Sequence, residues 1–337
     1  MTMTAPAELC VLGAGSWGTA LAVQFARAGH PTRLWGHIAA EQQTMAAARC
    51  NELFLPGVHF PATLSVFDDL AAAVHGINDL LLAVPSHALR EVLTRLAPLL
   101  EPQARIAWAT KGFELETGLL PHQVAREVLG SGRAMAVLSG PTFAKEVGAG
   151  LPTAMTVASP DADFANDLAL RISSDNFRAY TSSDIIGVEV GGATKNVLAV
   201  GAGLADGLDF GANTRVALIT RGLAEMTRLG MALGAQRETF MGLAGLGDLV
   251  LTCTDDQSRN RRFGKLLAKG VPVDLALKEI GQVVEGYMAA KAVHRVAANR
   301  GVEMPICEGI YLMLHQNTPP QAVVRDLMSR PIRAEID

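Results

Sequence analysis

Val11-Leu12-Gly13-Ala14-Gly15-Ser16-Trp17-Gly18 is the stretch whose reading decides the fold. It closes the short apolar run Leu9 to Leu12 and opens an Ala-rich helical pattern, Thr19 to Ala28. The octet therefore reads as a turn between a strand and a helix. Gly13 permits the tight turn, Gly15 offers backbone without a Cβ to a pyrophosphate, and Gly18 lets the helix lie close to the strand. The unpaired N–H groups and positive end of the helix then face the phosphates. Without a strand before it and a helix after it, Gly-x-Gly-x-x-Gly would mark only a tight turn; here it predicts a dinucleotide site.

Outward from this turn, the first half alternates apolar runs with helical stretches, the pattern of a doubly wound α/β domain. Strands are expected over 9–12, 32–35, 79–84, 105–109, 134–138 and 153–158, with a weaker one near 177–180. Helices are expected over 19–28, 39–50, 88–99, 120–129 and 161–173. Pro56, Gly57 and Pro61 mark 51–64 as a loop. From Asp184 the segments lengthen and become rich in Ala, Leu, Gly and Met. Helices are expected at about 184–205, 214–229, 261–269, 273–280, 287–300, 306–313 and 321–328. The expected organisation is a Rossmann-type dinucleotide-binding domain over 1–183 followed by an all-helical substrate-binding and catalytic domain over 184–337. A cleft between two such domains is a common place for a small-molecule site.

The composition agrees. The 337 residues suit about two domains. With 49% hydrophobic and 18% charged residues, there is ample material for cores. A formal charge of −4 gives no reason to expect nucleic acid or an anionic membrane as partner. No uncharged apolar run reaches the roughly 18–20 residues of a membrane span; the nearest, 197–208, is broken by glycines and Asp206. Met1 to Glu8 lacks the charged and apolar regions of a secretory signal. Cys10, Cys50, Cys253 and Cys307 stand far apart, which fits neither a disulfide framework nor a metal site and points to a reducing cytoplasm. The eight histidines include no His-x-x-x-His pair, so no structural metal is expected.

In the first half, the second strand ends in Leu34-Trp35-Gly36-His37, with no acidic residue before Glu41. An acid there would hold ribose hydroxyls and repel a 2′-phosphate. Its absence leaves the site open to NADP, with Arg33, His37 and Arg49 as candidate partners for that phosphate. NADPH is expected to be accepted at least as well as NADH. Val84-Pro85-Ser86-His87 closes another strand, with Ser86 placed to cap the next helix. Thr110-Lys111-Gly112 follows the 105–109 strand on the same ligand-binding edge. Lys111 can donate there to the nicotinamide region or to substrate oxygens. Ser139-Gly140-Pro141-Thr142-Phe143-Ala144 offers small residues for backbone approach and a hydroxyl at Thr142, which can equally cap a helix.

In the second half, Glu189 and Lys195 are the only charges between Ile185 and Ala205. A helix apolar nearly all round is buried, and a buried lone Lys is costly without a task or partner. Burial lowers its pKa towards the working range of an acid/base catalyst. Gly191 precedes Lys195 by one turn and Gly192 precedes Asn196 likewise, which predicts room for a small ligand beside each polar side chain. Asp248, in Gly245-Leu-Gly247-Asp248, can hold the Lys195 ammonium, orient a hydroxyl or cap a helix. Ser258, Arg259 and Asn260 offer hydroxyl, guanidinium and amide donors at a helix start, a cradle for a phosphate monoester. Glu285, in Val283-Val284-Glu285-Gly286, can bind ribose hydroxyls or a carboxamide, or interact with the next helix start.

Taken in order, these motifs resemble the NAD(P)-dependent glycerol-3-phosphate dehydrogenases of the soluble bacterial type. The residues that carry the resemblance are 13–20, 34–37, 84–87, 109–112, 139–144, 191–196, 245–248, 258–261 and 283–286. It spans nearly the whole chain; beyond Pro319 no motif is recognised. The resemblance implies a Rossmann domain and a helical domain similar to that of 6-phosphogluconate dehydrogenase. It also implies interconversion of dihydroxyacetone phosphate and sn-glycerol 3-phosphate, which supplies phospholipid backbones, and a homodimer. Carried over by motif, Lys195 matches the proton acceptor. Lys111, Gly140, Thr142, Asp248, Ser258, Arg259 and Asn260 match substrate contacts. Ser16, Trp17, His37, Lys111, Ala144, Arg259, Val283 and Glu285 match cofactor contacts beside Gly13, Gly15 and Gly18. Two rival functions share parts of the pattern. A β-hydroxyacid dehydrogenase would need a carboxylate site in place of the phosphate site. A dinucleotide-sensing protein would need no buried acid/base.

Overall fold

The computed structural model describes residues 8–332 and 334–335. The reading of Met1 to Glu8 as lacking a secretory signal therefore falls, apart from Glu8, outside the described residues. The first half runs β1 (Leu9–Leu12), α1 (Ser16–Arg27), β2 (Thr32–Trp35), α2 (Ala39–Ala48), β3 (Cys50–Asn51), β4 (Leu55–His59), β5 (Leu64–Phe67), α3 (Leu70–Val74) and β6 (Asp79–Leu82). It continues with α4 (Ser86–Leu96), β7 (Arg105–Trp108), α5 (Pro121–Leu129), β8 (Met135–Ser139), α6 (Ala144–Ala149), β9 (Thr153–Ala158), α7 (Ala162–Ile172) and β10 (Phe177–Ser182). The second half comprises α8 (Ile185–Gly207), α9 (Gly211–Ala232), α10 (Asp248–Thr254), α11 (Arg259–Ala268), α12 (Val273–Ile280), α13 (Glu285–Asn299), α14 (Pro305–His315) and α15 (Pro320–Ser329). A π-helical turn, Leu243–Gly247, leads into α10.

The main sheet has eight strands in the order β10-β9-β8-β7-β6-β1-β2-β5. β1 pairs in parallel with β2 on one side and β6 on the other, Leu9 lying opposite both Thr32 and Asp79. The chain winds from β1 out to β5, then returns past β1 to build the other side from β6. That reversal opens a crevice at the carboxyl ends of β1 and β6, where open α/β sheets bind ligands. β1, β6 and β8 are buried along their whole length, which explains their continuous apolar runs. β9 runs antiparallel to β8, and β10 follows β9 in parallel.

Several expectations need correction. The stretch 51–64 is not a plain loop but holds the β3–β4 ribbon, and β5 and α3 follow it. Pro56 and Gly57 lie in β4 at exposed positions, where a missing N–H or side chain is tolerated. α3, α6 and α10 are 5, 6 and 7 residues long, too short to show a helical period. Ser86 does not cap α4. The helix begins at Ser86 itself, behind an extended Pro85, without a side-chain cap bond. Thr142 does not cap α6 either, since Phe143 occupies that position.

α8 is the axis of the helical half, with α9, α10, α11, α13 and α14 packed around it. Its 23 residues are long and apolar enough to cross a membrane, yet nearly all are buried inside the protein. Asp184 fixes its start, accepting from the N–H of Gly187 and of Gln236 and from the Thr239 hydroxyl.

Candidate active site

The Gly-rich turn sits at the crevice between β1 and β6. Gly13 has φ 118°, and a Cβ there would lie 2.5 Å from the Ala83 carbonyl oxygen on the β6 side. Gly18 packs so closely that a Cβ would stand 1.8 Å from the Gly13 oxygen. Gly15 differs, because nothing lies within 4 Å of a Cβ built there. Its bare backbone faces open room. Gly15 is also the N-cap of α1 and supplies no side-chain cap, so among the described residues the first N–H groups of the helix have no side-chain acceptor. The buried Trp17 Nε1 likewise has no partner among the described residues. Open space, helix N–H groups and an orphan donor together fit a dinucleotide pyrophosphate.

At the end of β2, His37 is exposed beside buried Gly36. Arg33 and Arg49 do not join it. Arg33 pairs with Glu8 at 2.8 Å and donates to the carbonyls of Ala72, Ala73 and His75. Arg49 donates to the carbonyls of Leu64 and Pro61. Both guanidiniums are held by these carbonyls, that of Arg33 also by Glu8, so His37 remains the candidate of the three.

Three elements bring the central charges together. Lys111 stands just past the carboxyl end of β7, Lys195 lies in the middle of α8, and Asp248 opens α10. Lys195 Nζ donates to Asp248 Oδ1 at 2.5 Å, and Lys111 Nζ donates to Oδ2 at 2.7 Å. Asp248 is therefore not the helix cap; that place is Gly247. Thr252, one turn along α10, puts its Oγ1 3.1 Å from Lys195 Nζ. The sequence reading assigned Thr252 no role, although its spacing of four from Asp248 places it on the same helix face.

Lys195 and Asp248 are 6% and 1% exposed. Two ammoniums share one carboxylate, which leaves a net positive charge in a buried site. Burial, with the Lys111 charge adding to it, draws Lys195 down to about 8 against the pull of Asp248. Burial alone would raise Asp248, but the Lys111 and Lys195 charges hold it below its usual range.

The glycines before Lys195 and Asn196 do not leave ligand room. A Cβ on Gly191 would lie 2.5 Å from the Ala244 carbonyl oxygen, and one on Gly192 would lie 3.3 Å from Lys111 Cγ. Protein fills both places. Gly191 admits the π-turn that carries Asp248, and Gly192 admits the stem of Lys111.

A second polar chain runs beside the first. Asn196 Nδ2 donates to Glu285 Oε2 at 2.9 Å, and Asn260 Nδ2 donates to Asn196 Oδ1 at 2.9 Å. Asn260 Oδ1 in turn accepts the N–H of Gly286. Asn260 and Glu285 thus brace α11 and α13 on α8. Ser258 caps α11, accepting the Arg261 N–H. Arg259 is half-buried, and its guanidinium donates to Gln282 at 3.1 Å. Val283 is exposed nearby. Beyond β8, Thr142 Oγ1 donates to the Gly140 carbonyl, and Ala144 begins α6. Pro141 of the same loop lies 3.5 Å from a Cβ built on Gly247, so this loop abuts the turn bearing Asp248. Among the described residues no group of three His, Cys, Asp or Glu is placed to hold a metal ion, and the four cysteines are buried free thiols.

Comparison with known proteins follows this geometry along the whole chain. Residues 8–165 match the family model for the NAD-dependent glycerol-3-phosphate dehydrogenase N-terminus, and residues 184–325 match that for its C-terminus. The chain is 58% identical to a glycerol-3-phosphate dehydrogenase (NAD(P)+) of Aeromonas hydrophila, over 97% of this chain and 98% of that one. It is 57% identical to one of Vibrio cholerae, over 98% and 96%. A crystal structure of glycerol-3-phosphate dehydrogenase from Coxiella burnetii superposes with a TM-score of 0.94 at 46% identity, covering 97% of this chain and 100% of that one. The chain, by two family models and by relatives matched over nearly its full length, belongs to the NAD-dependent glycerol-3-phosphate dehydrogenase family.

Proposed function

We propose that this protein interconverts dihydroxyacetone phosphate and sn-glycerol 3-phosphate, exchanging a hydride with NAD(P)H and a proton with Lys195. The observation that carries the reading is the buried Lys111–Asp248–Lys195 array at the carboxyl edge of the sheet whose first turn fits a dinucleotide. Family membership supports the substrate. Bound NAD(P)H supplies the hydride. Gly13, Gly15, Ser16, Trp17 and Gly18 hold its pyrophosphate end, with His37, Lys111, Ala144, Arg259, Val283 and Glu285 as further contacts.

Arg259, with Ser258 and Asn260 at the start of α11, holds the substrate phosphate. Anchoring that remote group orients the ketone carbon. Gly140 and Thr142 line the same substrate. Lys195 as ammonium donates to the carbonyl oxygen and passes its proton there; in the oxidation direction the neutral amine takes the proton back. A pKa of about 8 serves both directions near neutral pH. Asp248 fixes the ammonium in place, and Lys111 adds positive charge where the oxygen gains negative charge.

The same reading takes 1–183 as the dinucleotide-binding domain and 184–337 as the substrate domain, in a cytoplasmic homodimer that supplies glycerol 3-phosphate for phospholipids. The change of architecture between β10 and α8 supports the boundary, and the free thiols support the compartment. The test is NADPH oxidation with dihydroxyacetone phosphate, with 3-oxo acids as controls. Lys195→Ala is expected to abolish turnover while retaining cofactor binding, and Arg259→Ala to raise KM for the phosphate substrate. Near-native kcat in the first variant or an unchanged KM in the second rejects the assigned role.

A further inference from the structure

Glu189 lies in α8, six residues before Lys195, and belongs to no part of the mechanism above. It is 3% exposed and has three nitrogens within hydrogen-bond distance. Glu189 Oε1 accepts Trp108 Nε1 at 2.9 Å and the His122 N–H at 2.8 Å, while Oε2 lies 2.5 Å from His122 Nδ1. Trp108 is the last residue of β7, and His122 is in the first turn of α5. The carboxylate therefore grips both ends of the segment that joins β7 to α5, satisfying one of the orphan N–H groups at the start of α5.

Lys111 belongs to that segment. It stands three residues after Trp108, and its stem lies against Gly192, which stands three residues after Glu189. The contacts 108 to 189 and 111 to 192 follow one another in the same order along the segment and along α8. At the far side of that contact Lys111 Nζ reaches Asp248 Oδ2 while Lys195 holds Oδ1.

We propose that Glu189 is a positioning residue that sets the register of the 108–122 segment against α8 and so places Lys111 on the carboxylate shared with Lys195. The proposal rests on the Lys111–Asp248–Lys195 site described above. A shift of about 1 Å in such an array is enough to cost up to about a hundredfold in rate.

The test is a set of variants assayed for dihydroxyacetone phosphate reduction at 25 °C, where each is shown to be folded. Glu189→Ala is expected to lower kcat by about tenfold or more. Glu189→Gln, which keeps an acceptor for Trp108 and the His122 N–H, is expected to restore it to within about threefold. Leu229→Ala, a core truncation on α9, reports what general destabilisation does, and its kcat is expected to stay near native. The decisive arm is a double-mutant cycle. In a Lys111→Ala background, Glu189→Ala is expected to cost nothing further, because it acts through Lys111. The same loss with and without Lys111, or a lowered Tm with unchanged kcat, overturns the proposal. Where Glu189→Ala is recovered only as aggregate, Trp108→Phe removes one donor, keeps the ring packing and enters the same cycle. Lys195→Ala, assayed alone, decides separately whether Lys195 carries the proton.

Discussion

Replacing Asp248 by Asn tests whether Lys195 owes its working range to a carboxylate shared by two ammoniums. Asn keeps the shape and one acceptor oxygen and removes the charge. In the native site Asp248 holds Lys195 at 2.5 Å and Lys111 at 2.7 Å. An opposite charge at such range shifts a pKa by about 1–3 units. Its loss should draw Lys195 down from about 8 by a margin of that order. With a shift of about two units, the ammonium fraction at about pH 7.5 falls from roughly three-quarters to about 3%, a drop of some 25-fold in the form that donates. The assay is kcat for dihydroxyacetone phosphate reduction at saturating NADPH across about pH 5.5–9.5, with near-UV circular dichroism confirming the fold at each pH. Reduction by the native protein should decline as pH rises through about 8, where Lys195 loses its proton. In the variant that decline should move down by about 1–3 units. Glycerol 3-phosphate oxidation needs the neutral amine, so its rise with pH should move down equally, leaving oxidation less impaired than reduction near pH 7. A variant whose two limbs stay at native pH while only the amplitude falls would refute the reasoning.

Thr252→Val keeps the volume and removes the oxygen 3.1 Å from Lys195 Nζ; kcat should fall about three- to tenfold with little change in Tm, on the scale of one hydrogen bond. Native kcat would place Thr252 outside the reaction. Gly191→Ala puts a Cβ 2.5 Å from the Ala244 carbonyl oxygen, which should cost about 1–3 kcal/mol of overpacking and displace the turn that carries Asp248. Thermal unfolding and kcat should fall together, and a variant as stable and active as the native protein would contradict the packing described. For the cofactor, kcat/KM measured with NADPH should equal or exceed that with NADH, because the end of β2 carries no acid; a strong NADH preference rejects it.

What the sequence showed clearly was what local chain geometry determines. The turn at Gly13 to Gly18 is readable because its strand, glycines and helix are contiguous. Lys195 and Asp248 are readable because a charge in an apolar or small-residue stretch has few explanations. The failures involve partners distant in the chain. Arg33 and Arg49 look available beside β2, but their acceptors come from Glu8 and from the 61–75 stretch. Thr252 is 57 residues from Lys195 in sequence and meets it only through the packing of α10 on α8. Gly191 and Gly192 mark close approach correctly in kind, but a backbone carbonyl and a lysine stem use the space instead of a ligand. The ribbon at β3 and β4 is hidden by Pro56 and Gly57, which an exposed strand tolerates.

The central array also explains why neither half of the chain can hold the site alone. Lys111 comes from the edge of the sheet, whereas Lys195 and Asp248 come from the helical half. With the sheet removed, Asp248 would face one lysine, and the excess positive charge that helps draw Lys195 down would be lost. With the helices removed, Lys111 would be an exposed lysine at a turn. The buried excess charge, and with it a lysine that can both give and take a proton near neutral pH, exists only where the two halves meet. The Gly13 to Gly18 turn lies on that same edge, so under the proposed mechanism Lys195 would acquire its proton affinity beside the place where the hydride is delivered.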